Sequence, residues 1–74
     1  MTISNLKNKY IGKSVYAGGK LNGVYGRIVD IRQDVEDPEQ IWFYVSQDND
    51  GCISRWDKSE LQELIVTTSL VPLK

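Results

Sequence analysis

Ile41-Trp42-Phe43-Tyr44-Val45-Ser46-Gln47 is the stretch that decides how this chain folds. Its residues are mostly β-branched or aromatic. A period of two puts Ile41, Phe43 and Val45 on one face of a strand and Trp42 and Tyr44 on the other. Asp48-Asn49-Asp50-Gly51 follows, and these are turn residues, with Gly51 free to take a left-handed backbone. Cys52 to Trp56 then returns antiparallel. On the N-terminal side, Gln33 to Gln40 (QDVEDPEQ) is acidic and contains Pro38, so it reads as a solvated loop. Before it, Tyr25 to Arg32 is a further strand with an irregular pattern. Ile28 and Ile31 cannot share a face at period two, so either the outer face is covered as well or a bulge falls near Val29-Asp30.

Farther out the signals are shorter. Ser4 is placed to cap a helical turn over Asn5 to Tyr10, with Gly12 where a helix C′ glycine sits. Lys13 to Ala17 reads as a first strand with Val15 inward, and Gly18 to Val24 as a hairpin-like loop carrying Gly18-Gly19 and Asn22-Gly23. After Trp56, Asp57 to Leu61 predicts one 3₁₀ turn capped by Asp57, and Glu63 to Thr67 a last strand. The tail, Ser69 to Lys74, carries Leu70, Val71 and Leu73, and Pro72 restricts it to an edge or a packed extension. The expected core is Val15, Ile31, Phe43, Val45, Leu61 and Ile65.

A chain of 74 residues with 41% apolar content holds one globular domain. The expected division is a barrel core over residues 12–66, an N-terminal turn over 4–10 and an extension over 68–74. Nine basic residues against ten acidic ones leave a net charge of −1. Phosphate neutralisation dominates nucleic-acid affinity, so a nucleic-acid partner ranks behind a protein partner or a second copy of the chain. The single Cys52 excludes an internal disulfide, and the absence of histidine with one cysteine excludes the usual zinc and copper ligand sets. No acidic spacing matches a calcium loop. Histidine is also missing as a general base, and no phosphate-binding glycine loop opens a helix, so no catalytic residue and no cofactor are expected. Cys52 itself reads as a half-buried small hydrophobe. Without a signal-like apolar segment, or a run near the ~18–20 residues that span a bilayer, a membrane is excluded as partner and the expected location is cytoplasmic.

The spacing Val15…Gly26-x-Ile28…Phe43-x-Val45…Gly51…Trp56…Leu61 resembles that of small SH3-like modules, including Tudor-like and KOW-like domains. That resemblance implies an all-β, five-stranded SH3-like barrel with a short N-terminal helical turn. Gly51 to Trp56 followed by the step to Leu61 is also similar in layout to plasmid-encoded type II dihydrofolate reductases, which are tetrameric barrels with a substrate pore. Their pore strand reads Val-Gln-Ile-Tyr where this chain has Ile53-Ser54-Arg55-Trp56, so no reductase role carries over.

The aromatic residues supply the functional expectation. If Phe43 faces inward, Trp42 and Tyr44 face outward, joined by Trp56 and Tyr25, with Arg27 and Arg55 brought alongside. Arginine with aromatic rings suits a protein hot spot and also a single-strand stacking surface. The resulting expectation is a non-enzymatic binding or adaptor module, a small accessory protein, acting through an aromatic-rich barrel face on a protein or on itself. A nucleic-acid-binding barrel is the second reading and a pore-type oligomeric reductase the third.

Overall fold

Apolar residues spaced three and four apart bring Ile3, Leu6 and Tyr10 to one side of a two-turn helix, α1 (Ile3–Tyr10). The helix begins one residue before Ser4, which therefore lies inside it. The computed structural model describes residues 3–18, 23–65 and 69–73. Six strands follow α1: β1 (Ser14–Ala17), β2 (Val24–Gln33), β3 (Ile41–Gln47), β4 (Ile53–Asp57), β5 (Leu61–Ile65) and β6 (Ser69–Pro72). The glycine-rich centre of the first loop, residues 19–22, and the end of the expected last strand, Val66 and Thr67, lie outside the described residues.

The strands form one antiparallel sheet in the order β4-β3-β2-β1-β5-β6. This corrects the expected five-stranded SH3-like barrel and the resemblance behind it. The sheet does not close, because no ladder among the described residues joins β4 to β6. The tail is the physical reason. Of the two places open to it, an edge or a packed extension, it takes the edge and pairs with β5, from Gln62 opposite Pro72 to Ile65 opposite Ser69. The strand next to β1 thereby acquires a neighbour of its own, and the sheet grows outward there instead of returning to β4.

The irregularity in β2 resolves as a bulge. Its register against β3 slips between Ile28, opposite Val45, and Asp30, opposite Tyr44. The extra residue, Val29, stands 43% exposed, while Ile28 and Ile31 are both fully buried. One inserted residue resets the alternation, which lets two isoleucines three apart share a face.

The core holds Tyr10, Val15, Ala17, Ile28, Ile31, Phe43, Val45, Leu61 and Leu73, with Ile3, Leu6, Val24, Ile41 and Trp56 packed against it. Five of the six expected core residues are present. Ile65 is not, being 44% exposed near the end of β5. Tyr10 delivers the helix to the sheet, its ring 5.4 Å from Phe43 at 74°, the edge-to-face arrangement that aromatic quadrupoles favour. Between β4 and β5 lies the expected 3₁₀ turn, Lys58–Glu60, closed by a capping box. Asp57 Oδ2 accepts the Ser59 N–H at 3.0 Å, and Glu60 Oε1 accepts the Asp57 N–H at 3.1 Å.

Candidate functional site

An antiparallel ladder alternates between pairs that exchange backbone hydrogen bonds and pairs whose N–H and C=O groups point away from each other. The turn between β3 and β4 sets which residues are which. Gln47 donates to the Cys52 carbonyl at 2.8 Å and accepts from the Gly51 N–H at 2.8 Å, and Gly51 sits at φ 74° as the extra residue of the turn. Counting back from Gln47–Cys52, the bonded pairs are Val45–Ser54 and Phe43–Trp56, in the observed register. Ile53 and Arg55 therefore aim both their backbone groups outward, along the open side of β4. The next outward amide, that of Asp57, is already bonded to Glu60.

The opposite edge is built differently. Gly18 donates to the Glu60 carbonyl, so the residues of β5 that face β6 are Leu61, Glu63 and Ile65. Within β6, Val71 and Ser69 then face β5, and Leu70 and Pro72 face outward. Pro72 has no N–H, so one of the two outward donors is missing there. β4 carries no proline.

Side chains complete the β4 edge. Ile53 is 56% exposed. The Arg55 guanidinium lies 4.1 Å from the Trp42 ring centroid, over the sheet face. Trp42 Nε1 donates to Asp34 Oδ2 at 2.9 Å, and Asp34 Oδ1 accepts the amides of Glu36 and Asp37 at 2.8 and 3.1 Å. Those hydrogen bonds, the one from Trp42 foremost, hold the Asp34 carboxyl below the usual range. Arg32 sits 5.7 Å from the Tyr44 ring and donates to Asp30 at 2.8 Å. That bond is the main cause of the lowered Asp30 carboxyl, followed by the Ile31 amide.

The six residues expected to form one binding face are split by this arrangement. Trp42, Tyr44 and Arg55 share a face, and Arg27, across from Ser46, lies farther along it. Trp56 is on the other face: paired with Phe43, it packs against the core, and its Nε1 donates to Ser54 Oγ at 2.7 Å. Tyr25 is at the far end of β2, its ring 4.8 Å from that of Tyr16 and tilted by 57°. The described ring–ring contacts are isolated pairs, Tyr10–Phe43 and Tyr16–Tyr25, and Trp42 and Tyr44 are each covered by an arginine instead of by another ring. Among the described residues there is no aromatic cluster and no closed barrel surface to carry one. The adaptor acting through an aromatic-rich barrel face is overturned by this, as are the nucleic-acid-binding barrel and the pore-type reductase.

Ile53 was absent from the expected site. The signal for it was available in the turn, since the number of residues between Gln47 and Cys52 sets which β4 amides face out. Cys52 also differs from expectation, being exposed at the mouth of the turn. Its thiol is pushed above the usual value by Asp50, through a hydrogen bond and then its charge, so it is a poor nucleophile. Shallow recesses lie among the described residues. One of about 400 Å³ is bordered by Gly23, Val24, Tyr25, Asp48 and Asn49, and one of about 210 Å³ by Leu6, Glu39, Ile41, Phe43, Asp57 and Lys58. Among the described residues no group of three or more acidic or cysteine side chains is placed to hold a metal ion. No helix among them is long and apolar enough to cross a membrane. Comparison with protein-family models, curated proteins and solved structures finds no match for this chain.

Proposed function

We propose that this chain is a non-catalytic pairing module that binds a partner protein by taking an extended segment of it as a seventh strand along β4. The observation that carries this reading is the outward backbone of Ile53 and Arg55 on an edge that has no proline, while the opposite edge is blunted by Pro72. Natural sheets usually protect their edges, and an unguarded one is a template for strand addition. An inward-leaning charge also serves as protection, but Arg55 is drawn over Trp42 and leaves the edge uncovered. The exposed, unpaired thiol of Cys52 suits a reducing, cytoplasmic setting.

Two outward residues offer four backbone hydrogen bonds, at a net value of about 0.5–1.5 kcal/mol each. That amounts to roughly 4 kcal/mol, a millimolar interaction, so side chains beside Ile53 and Arg55 must supply what a tighter complex needs. The test is display of random seven-residue peptides against the whole chain, followed by titration of the enriched sequences with amide hydrogen exchange. Enriched peptides should slow exchange at Ile53 and Arg55. Ile53→Pro removes one outward N–H without touching the β3 ladder, and should weaken binding about two- to tenfold while the thermal midpoint holds. Failure to enrich any peptide, or binding indifferent to Ile53→Pro, would show that β4 is not the site.

A further inference from the structure

We infer that the segment selected by β4 carries an acidic residue opposite Arg55 and an apolar residue two positions later, opposite Ile53. This rests on the strand-pairing reading and adds the chemistry of the partner. Every ladder in the sheet is antiparallel, and an antiparallel newcomer continues that pattern with the stronger backbone pairing. In such a pairing, directly opposite side chains share a face with Cβ atoms about 4.5–5.5 Å apart. The newcomer runs against β4, so its residue facing Arg55 precedes by two the residue facing Ile53.

Charge complementarity selects the residue types. The described ion pairs are Lys7–Asp30, Lys13–Glu63 and Arg32–Asp30, and none engages Arg55. Asp34 is near enough to feel the Arg55 charge. Its Oδ2, however, accepts from Trp42 Nε1 and its Oδ1 from the Glu36 and Asp37 amides, and the Asp34–Arg55 pair falls outside ion-pair distance. Arg55 is thus an exposed cation positioned by a ring, with no carboxylate within ion-pair distance among the described residues. A guanidinium stacked on an aromatic ring keeps its N–H edge for a bidentate carboxylate. Asp57 continues the same face two residues on, so a carboxylate placed there meets like charge, which fixes the register of the acidic residue on Arg55. Ile53, 56% exposed beside it, gives an apolar side chain a surface to cover.

The test uses the synthetic peptide Thr-Ile-Glu-Ser-Val-Thr and versions with Gln or Lys in place of Glu, titrated into the whole chain and followed by amide chemical shifts. The Glu peptide should bind about tenfold more tightly than the Lys peptide at low salt, with Gln between them. The gap should narrow at about 0.5 M salt, where exposed pairs are screened. In the Arg55→Glu variant the order should reverse, with circular dichroism unchanged because Arg55 is exposed. Shifts at Ile53 and Arg55 without any preference among the three peptides would overturn the charge selection and leave strand pairing standing. No shift at these amides with any peptide would overturn both. Shifts there that grow with protein concentration in the absence of peptide would assign the edge to a second copy of the chain, and the inference would fall.

Discussion

Phe43→Ala should remove a large part of this fold's stability, and the reason is specific to where Phe43 sits. It is 2% exposed, across from Ile31 on β2 and Trp56 on β4, and its ring meets Tyr10 edge-to-face. Truncation therefore empties the point where the helix, β2, β3 and β4 converge. Large-to-small changes at such sites cost about 3–5 kcal/mol. The edge contact with Tyr10 contributes about 0.5–1.5 kcal/mol of that. At roughly 0.05–0.15 kcal/mol per residue a chain of this length holds about 4–11 kcal/mol. The variant should thus lose at least about a quarter of its stability and at worst be unfolded at room temperature. Urea denaturation followed by far-ultraviolet circular dichroism measures this, with the midpoint falling and the slope unchanged. Phe43→Leu, which keeps most of the volume, should lose less than about half as much. Tyr44→Ala, on the opposite face and half-buried, sets the comparison. A larger loss from Tyr44→Ala than from Phe43→Ala would mean that β3 presents its other face to the core, and the burial argument would be wrong.

Gly26→Ala should destabilise by about 1–3 kcal/mol as an overpacking change, because a methyl group there would lie 2.3 Å from the Ser46 carbonyl oxygen and 2.7 Å from Val45 Cγ1; an unchanged thermal midpoint would contradict the close β2–β3 approach. Acid should weaken the fold in a defined window. The Asp57 carboxyl is lowered by hydrogen bonds from Ser59 and then Gln40, Asp34 by Trp42, and Asp30 by Arg32. A folded-state value below the unfolded value means stability fully present above about pH 4 and lost as pH falls through the folded values. Urea midpoints measured from pH 6 to pH 2 should fall below about pH 4, and Asp34→Asn should flatten part of that fall; a midpoint constant to pH 2 would contradict it.

Local structure was legible in the sequence where one residue type has one use. The alternation of Ile41, Phe43 and Val45 assigned β3 and its buried face correctly. Asp57 followed three residues later by Glu60 is a capping-box spacing, and the capped turn forms there. Two isoleucines three apart in a strand demanded a bulge or a second covered face, and the bulge is what occurs. What could not be read locally were the relations between distant segments. Tyr10 and Leu73 are core residues at opposite ends of the chain, and nothing near either one states which face it will meet. Trp56 lies between these cases. Its size and type suggested a binding residue, yet the length of the turn at Gln47–Cys52 already paired it with Phe43 and turned it inward.

The barrel expectation failed for a related reason, and its failure is what exposes the candidate site. Five strands with this spacing can close or stay open, and the choice depends on which strand lies beside β5 and β4 at the ends of the sheet. Leu70, Val71 and Pro72 settle one end by pairing with β5, where Leu73 enters the core and Pro72 withholds an outward N–H. The same arrangement leaves β4 without a neighbour. There the natural guards are weak: no proline, no bulge, and an arginine held over Trp42 by cation–π attraction instead of across the edge. A closed barrel would have consumed the Ile53 and Arg55 backbone groups within the chain. In the open sheet they remain as oriented donors and acceptors beside an exposed apolar side chain and an ion-pair donor, which is the set of groups that recognition of an extended strand requires.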